Sequence, residues 1–132
     1  MDKKIKILVV EDDKNLRNMY ANVFRESGFE VTEAEDGIEG LDRATVENPD
    51  VIFTGIMMPR MDGFSMIESL RKNVATAETP ILISSHMGRE EDRQKANTLG
   101  VRFFVIKGYI TPKELVEKVI ELIKKEKDGL EA

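Results

Sequence analysis

The sequence contains no cysteine and no tryptophan, and it has one histidine among 132 residues. The absence of cysteine excludes disulfides and thiolate metal sites, which is typical of proteins in the cytoplasm. No apolar run approaches the roughly 18 residues that a membrane-spanning helix needs, so we expect no role in a membrane. Residues 1–6 are charged and lead directly into an apolar run, without the pattern of a signal peptide.

Charge of one sign is in excess, because 25 acidic residues face 20 lysines and arginines and give a net charge of −5. This balance argues against direct binding of nucleic acid. An apolar fraction of 41% and a charged fraction of 34% are typical of a globular protein. The length predicts one domain, which we place at residues 1–127, followed by a frayed tail at residues 128–132.

Five short apolar runs alternate with five segments of helical periodicity. The runs predict strands at residues 5–10, 30–34, 81–84 and 101–106, with a further strand beginning at Val51. The run from Val51 is apolar without interruption, which indicates a strand buried on both faces of a sheet. The alternation predicts an α/β fold, a doubly wound parallel sheet of five strands with helices on both faces.

The last two predicted helices differ in character. Residues 88–99 have helical composition but few apolar side chains, so we expect this helix to pack lightly. The fifth helix has a strong start signal at residues 111–114, with a threonine cap, a proline and a glutamate three residues after the cap. Its predicted buried stripe consists of Leu115, Val116, Val119, Ile120 and Ile123.

Polar residues follow the strands at the edge where chemistry is found in open α/β sheets. Taken separately, the acidic residues are explained as a helix cap and the lysine as a surface charge. Together they form the set of hard oxygen ligands, hydroxyl and lysine that a Mg²⁺-assisted phosphoryl site uses. The set consists of Glu11, Asp12, Thr54, Ser84, Ser85 and Lys107, with Gly55 at the end of the central strand.

The motifs at residues 7–13, 49–53, 57–63 and 80–85, with Lys107 after the fifth strand, resemble the receiver domain of two-component response regulators. The resemblance extends from about residue 4 to about residue 125. It implies a flavodoxin-like receiver fold with the strand order 2-1-3-4-5. It also implies a signalling module in place of an enzyme.

The resemblance assigns metal ligands by position. Asp12 stands at the position of a direct Mg²⁺ ligand, Glu11 lies beside it, and the backbone carbonyl of Met57 is a further ligand.

The resemblance also assigns a phosphoryl pocket and a switch. The hydroxyl of Ser85 is expected to contact the phosphoryl group, and Lys107 to balance its charge. Phe104 stands at the position of an aromatic side chain that rotates inward on activation.

The central departure from the family is Gly55, which stands where the family has its phosphoacceptor aspartate. An acyl phosphate requires a carboxylate nucleophile, which glycine lacks. Thr54 is predicted to point to the opposite face of the sheet, and Asp50 lies about 16 Å away at the far end of the strand. Asp62 belongs to a turn, so we predict no phosphotransfer at this site.

The missing carboxylate also predicts that Mg²⁺ binds weakly at Asp12, Glu11 and Met57. Lys107 is predicted to turn toward Asp12 or Glu11 and to occupy the pocket without metal.

Two further departures adjoin the pocket. The peptide Lys107–Gly108 replaces the lysine–proline of the family and is predicted to be trans. His86 stands where the family prefers a small residue, and we interpret it as a polar loop residue.

Three functional hypotheses remain open. The first is a receiver module with a vacant phosphoacceptor position that acts by protein–protein contact through helix 4, strand 5 and helix 5. Its partner would be a sensor histidine kinase, another signalling protein or an output protein. The second is residual Mg²⁺-dependent phosphoryl acceptance on Asp12 or Glu11. The third is a flavodoxin-like cofactor-binding protein, although no glycine-rich phosphate loop follows the first strand.

Overall fold

The computed structural model describes residues 3–101 and 103–128, which form five strands and five helices in strict alternation. The strands are β1 (Lys6–Val10), β2 (Glu30–Ala34), β3 (Val51–Thr54), β4 (Ile81–Ser85) and β5 (Phe103–Ile106). The helices are α1 (Lys14–Glu26), α2 (Gly37–Glu47), α3 (Gly63–Lys72), α4 (Glu90–Thr98) and α5 (Pro112–Asp128).

The strands form one parallel sheet in the order β2-β1-β3-β4-β5, which confirms the predicted fold class and strand order. β3 lies at the centre of this sheet, and all four of its side chains are buried. Its burial on both faces explains why its sequence is apolar without alternation. The register pairs Val10 with Thr54 and Thr54 with Ile83, so the carboxyl ends of β1, β3 and β4 lie side by side.

Two apolar cores lie on opposite faces of the sheet because side chains alternate along each strand. One face packs against α1 and α5 through residues such as Tyr20, Phe24, Phe53 and Leu115. The other packs against α2, α3 and α4 through a core that consists of Leu8, Val10, Ala34, Ala44, Ile52, Phe64, Met66, Ile67, Leu70, Ile81, Ile83, Ala96 and Val101.

Side-chain caps fix where four of the helices begin. Asp13 accepts a hydrogen bond from the backbone N–H of Leu16, which starts α1 immediately after the acidic segment. Thr111 and Glu114 form the reciprocal capping box predicted for α5, with distances of 2.9 and 3.1 Å. α2 and α3 begin after the caps Asp36 and Asp62.

α4 is attached differently from the other helices. It has one buried side chain, Ala96, and its cap residue Arg89 makes no side-chain capping hydrogen bond. Two cations of α4 lie over aromatic rings instead: the Arg93 guanidinium is 4.8 Å from the centre of the Phe104 ring, and Lys95 Nζ is 5.0 Å from that of Phe64. The light packing predicted for this helix is confirmed.

α5 corrects one detail of the predicted buried stripe. Ile120 is 45% exposed, and Leu122 is buried in its place. The helical period brings residue 122, three positions after Val119, onto the inner face, and it turns Ile120 outward. α5 is helical through Asp128, and the rest of the predicted tail, residues 129–132, lies outside the described residues.

All peptide bonds of the described residues are trans, Lys107–Gly108 among them, as predicted. Within the same residues, no helix is both long enough and apolar enough to cross a bilayer.

Candidate functional site

A cleft of about 450 Å³ opens at the carboxyl ends of β1, β3, β4 and β5. It brings together most of the polar residues that the sequence places at these ends. Its lining consists of Glu11, Asp12, Asp13, Leu16, Ile56, Met57, Ser84, Ser85, His86, Met87, Arg89, Asp92 and Lys107.

An ion pair between Glu11 and Lys107 lies at the base of the cleft. Lys107 Nζ is 3.1 Å from Glu11 Oε1, and the two side chains are 14% and 5% exposed. The other carboxylate oxygen of Glu11 accepts a hydrogen bond from the backbone N–H of Asp13 at 3.1 Å. The prediction that Lys107 turns toward Asp12 or Glu11 is confirmed, and the partner is Glu11.

The predicted metal ligands are present, but each is either paired with another residue or exposed to solvent. Asp12 is exposed, and Glu11 is neutralised by Lys107. Met57 is 84% exposed at the mouth of the cleft. The residues that the structure describes contain no group of three acidic or histidine side chains placed to hold a metal ion. The ion pair with Lys107 competes with any cation for Glu11, and weak Mg²⁺ binding stays a prediction.

Gly55 lies between Glu11 and Ser84 when the strand register is continued by one residue. Its backbone N–H donates a hydrogen bond to the Val10 carbonyl at 3.0 Å. A Cβ atom at this position would meet a single atom within 4 Å, Glu11 Oε1 at 3.3 Å. The backbone of Gly55 does not lie in the left-handed region, so the fold does not require glycine here.

Ser84 belongs to the polar set that the sequence predicts at the strand ends, but the sequence does not indicate its neighbours. Its side chain is buried, and its hydrogen-bonding neighbour is the hydroxyl of Tyr20 in α1. Burial raises the pKa of Tyr20; Ser84 opposes that increase, and the charge of Glu11 adds to it. Only the strand register could have placed Glu11 and Ser84 on either side of Gly55.

The remaining hydroxyls and the histidine are placed as follows. Ser85 Oγ accepts from the backbone N–H groups of Met87 and Gly88 at 3.3 and 3.4 Å, which shapes the loop before α4. Thr54 is buried and donates to the carbonyl of Gly55 at 2.9 Å, so its hydroxyl is occupied. His86 is exposed at the rim of the cleft, and its interpretation as a polar loop residue stays a prediction.

Phe104, the predicted switch position, lies outside the cleft. It is partly buried against the core on the α4 side of the sheet, and the Arg93 guanidinium covers its ring. Its inward rotation stays a prediction.

The loop between Gly55 and Gly63 carries Met57 and is anchored at its far end by α2. The Met61 carbonyl accepts from the N–H of Gly37 at 2.9 Å. Arg60 adopts a left-handed backbone with φ of 66°, and its Nε lies 2.8 Å from Asp36 Oδ2.

This anchor has an electrostatic signature at Asp36. The backbone hydrogen bond from Glu39 is the main cause that holds the pKa of Asp36 below its usual value, and Arg60 lowers it further. The sequence indicates the cap but not the ion pair, because Arg60 lies 24 residues away.

The parallel order of the sheet and the polar cleft at its carboxyl edge define a flavodoxin-like α/β domain. The chain matches the model of the response regulator receiver domain over residues 7–120, and it belongs to that family.

Individual relatives agree with this assignment. The transcriptional activator protein PfeR of Pseudomonas aeruginosa is 38% identical over 104 residues, which cover 79% of this chain and 33% of that protein. The transcriptional regulators that the chain matches are longer, and it spans between 33% and 49% of their length.

Two solved structures show the same fold. The chemotaxis response regulator CheY4 of Vibrio cholerae superposes with a TM-score of 0.86 at 28% identity, over 91% of this chain and 99% of that one. The receiver domain of the Francisella response regulator 1452 gives a TM-score of 0.83 at 33% identity, over 92% and 98%.

Proposed function

We propose that this receiver domain of a two-component phosphorelay does not accept a phosphoryl group at residue 55 and signals by protein–protein contact. The observation that carries the proposal is Gly55 itself, which directly follows the central strand and lies next to Glu11 of the cleft with no side chain. Because its backbone does not require glycine, the absence of a carboxylate is a property of the site and not a demand of the fold.

The neighbouring oxygen-bearing side chains are poor substitutes as nucleophiles. Glu11 is paired with Lys107, and the Thr54 hydroxyl donates to a backbone carbonyl. Asp62 caps α3 through the N–H of Ser65, and Asp50 accepts from the N–H of Lys6 at the opposite end of the sheet. A nucleophile needs an available lone pair within reach of the phosphoryl donor, and each of these groups is engaged elsewhere.

The contact surface that we propose is formed by α4, β5 and α5. A groove of about 440 Å³ runs along it and is lined by aromatic and charged side chains, including Arg93, Phe104, Tyr109, Glu114 and Lys118. Tyr109 is 85% exposed there. Tyrosine and arginine are both enriched in protein interfaces. The partner would be a sensor histidine kinase, another signalling protein or an output protein.

The test is incubation with an acyl phosphate donor and Mg²⁺, followed by measurement of the intact mass. We expect the natural chain to show no gain of a phosphoryl group. Gly55→Asp restores a nucleophile and is expected to gain one, while Gly55→Ala fills the same space without one and serves as the matched control. A phosphoryl group on the natural chain would instead support acceptance on Asp12 or Glu11 and would overturn the proposal.

Weak Mg²⁺ binding is part of the same proposal. Without a carboxylate at residue 55, the cation loses a ligand, and Lys107 already neutralises Glu11. A concentration of Mg²⁺ ten times its Kd would stabilise the fold by about 1.4 kcal/mol. We expect thermal unfolding in roughly 10 mM Mg²⁺ to show much less than this in the natural chain. In Gly55→Asp, the shift should be larger.

The proposed module is not an enzyme, and a cytoplasmic location remains a prediction from the cysteine-free composition.

A further inference from the structure

The mouth of the cleft at the carboxyl ends of the strands is lined by apolar side chains that lie open to solvent. Met57 and Met87, on the loops after β3 and β4, are 84% and 67% exposed, and Leu16 and Ile56 add two partly buried walls. Exposed apolar side chains that share one cleft, and are not scattered singly, mark interaction sites. Methionine is flexible and polarisable, which suits a surface that accepts a partner.

Negative charge is in excess within the same cleft, because its lining contains four carboxylates and two cations. Lys107 neutralises Glu11, and the carboxylate of Asp13 accepts the hydrogen bond that caps α1. Asp12 and Asp92 make no ion pair within the described part of the chain. Two carboxylates of an apolar cleft are therefore left without a cationic partner.

The second cation of the lining, Arg89, is exposed at the rim. Its Nη2 atom lies 3.8 Å from Met87 Sδ, and it makes no ion pair with an acid of the cleft among the residues described. It therefore leaves the charge of the interior uncompensated.

We propose that the cleft binds an arginine side chain of a partner protein, which enters between Met57 and Met87 and pairs with Asp12 and Asp92. The inference goes beyond the proposed function, since this cleft shares no lining residue with the groove of α4, β5 and α5. The two surfaces could thus be occupied by different parts of a partner.

The combination of apolar walls and carboxylates favours arginine over other occupants. The aliphatic stem of arginine packs on apolar walls while its charged head reaches the acids. The guanidinium offers five N–H donors and is more weakly hydrated than an ammonium group. An inorganic cation would use the carboxylates but leave the apolar walls in water. A second copy of this chain carries the same net charge of −5 and would be repelled.

The experiment is a titration of the ¹⁵N-labelled chain with a capped peptide in which one arginine lies between two leucines. The same peptide with citrulline, a neutral isostere of arginine, is the control ligand. We expect saturable shifts at the amides of Asp12, Met57 and Met87, and binding at least about 5-fold weaker with citrulline. Equal affinity for both peptides, shifts without saturation, or shifts that centre on Tyr109 in the other groove would overturn the proposal.

A double variant tests the two carboxylates. Asp12→Asn/Asp92→Asn should weaken binding of the arginine peptide by roughly 5- to 20-fold, as expected for two partly exposed ion pairs, and should leave the citrulline peptide unaffected. Asp42→Asn/Glu68→Gln removes the same charge at exposed positions of α2 and α3 outside the cleft and should bind like the natural chain. Unchanged affinity in the first variant, or an equal loss in the second, would contradict the proposal.

The apolar walls should contribute separately from the charges. Met57→Ser should weaken both peptides by a similar factor of roughly 3-fold, because it removes apolar contact and no charge. Met19→Ser, at an exposed position of α1 outside the cleft, is the control. A loss confined to the arginine peptide would show that the walls do not contact the ligand as proposed.

Two further outcomes are kept apart by the design. Shifts of the cleft amides on dilution of the chain alone would assign the cleft to a second copy and would overturn the proposal. The peptide titration contains no phosphoryl donor, so its failure leaves the intact-mass test of the proposed function unaffected.

Discussion

The two ends of the loop between β3 and α3 contain glycines with opposite requirements. At Gly63, a Cβ atom would lie 2.2 Å from the carbonyl oxygen of Gly55, closer than any real contact. At Gly55, the only atom within 4 Å would be Oε1 of the Glu11 side chain, at 3.3 Å. One glycine is there because the backbone passes too closely for a side chain. The other has a single close neighbour, the Glu11 side chain, and its explanation must be sought in function.

The surroundings of the two ends differ in the same way. The Gly63 end is fixed to α2 through Asp36, Gly37, Arg60 and Met61. The Gly55 end faces a cleft whose polar groups are satisfied in part by the Glu11–Lys107 pair. Because the fold depends on the Gly63 end of this short loop, the side chain at residue 55 can change while the fold is kept.

The largest expected effect is at the Gly63 end. Gly63→Ala forces a methyl group against the Gly55 carbonyl and should lower the free energy of unfolding by about 3 kcal/mol. Urea unfolding followed by circular dichroism measures this. Gly55→Ala is the matched control, the same substitution at the other end. If Gly63→Ala were as stable as the natural chain, the contrast between the two ends would be wrong.

Removal of the lysine at the Gly55 end comes next. Lys107→Gln leaves the carboxylate of Glu11 buried without a cation and should cost about 2 kcal/mol, less than for a fully buried pair because Lys107 is 14% exposed. Lys72→Gln, at an exposed position of α3, is the control and should change stability little.

The double variant Glu11→Gln/Lys107→Gln tests whether the pair itself is responsible. It should recover part of the loss in Lys107→Gln, because no unpaired charge remains. Additive losses would show that the two side chains do not interact in solution.

A methyl group at residue 55 should have a smaller effect than these losses, and it should raise the free energy of unfolding. Gly55→Ala reduces the conformational freedom of the unfolded chain, and its methyl group displaces only Glu11 Oε1, by a few tenths of an ångström. We expect a net gain of about 0.5 kcal/mol in the free energy of unfolding. A clear loss of stability would show that Glu11 cannot move and that the space is not available.

The smallest expected effect is that of removing the charge of Asp36, which pairs with Arg60 near the Gly63 end of the loop. Asp36→Asn keeps a good helix cap but loses the attraction to Arg60, which is 58% exposed, so the cost at neutral pH should be under about 1 kcal/mol. The pKa of Asp36 is lower in the folded state than its ordinary value, so its contribution is present above that value and is lost as the pH falls through the folded pKa.

The measurement is urea unfolding of both chains from neutral pH down to about pH 3. The difference in stability should shrink with acidification. A difference that stayed constant over this range would assign the effect to geometry and not to charge.

Local sequence patterns predict much of the fold and part of the candidate site. Uninterrupted apolar runs such as the one from Val51 identify the buried strands, and the capping box at residues 111–114 fixes the start of α5. The pairing of Lys107 with an acidic residue also follows from the sequence, because strand ends that meet at one edge bring a lone cation to the nearest carboxylates.

Other features depend on contacts between distant residues, which a local pattern does not contain. The left-handed backbone of Arg60 is held by an ion pair with Asp36 in another loop. The sequence predicts Ser84 at the end of a strand, but only the register places it beside Gly55. Ile120 fits an apolar stripe by composition, yet the phase of the helix turns it outward.

The attachment of α4 has a thermodynamic consequence. This helix is held by Arg93 and Lys95 over two aromatic rings and buries one alanine of its own. Its release would break few contacts and expose little apolar surface, so both the enthalpy change and the heat-capacity change of this opening should be small compared with those of global unfolding. Local opening of α4 should therefore vary far less steeply with temperature than global unfolding, and amide exchange of this helix should keep nearly the same protection on warming until the whole domain melts.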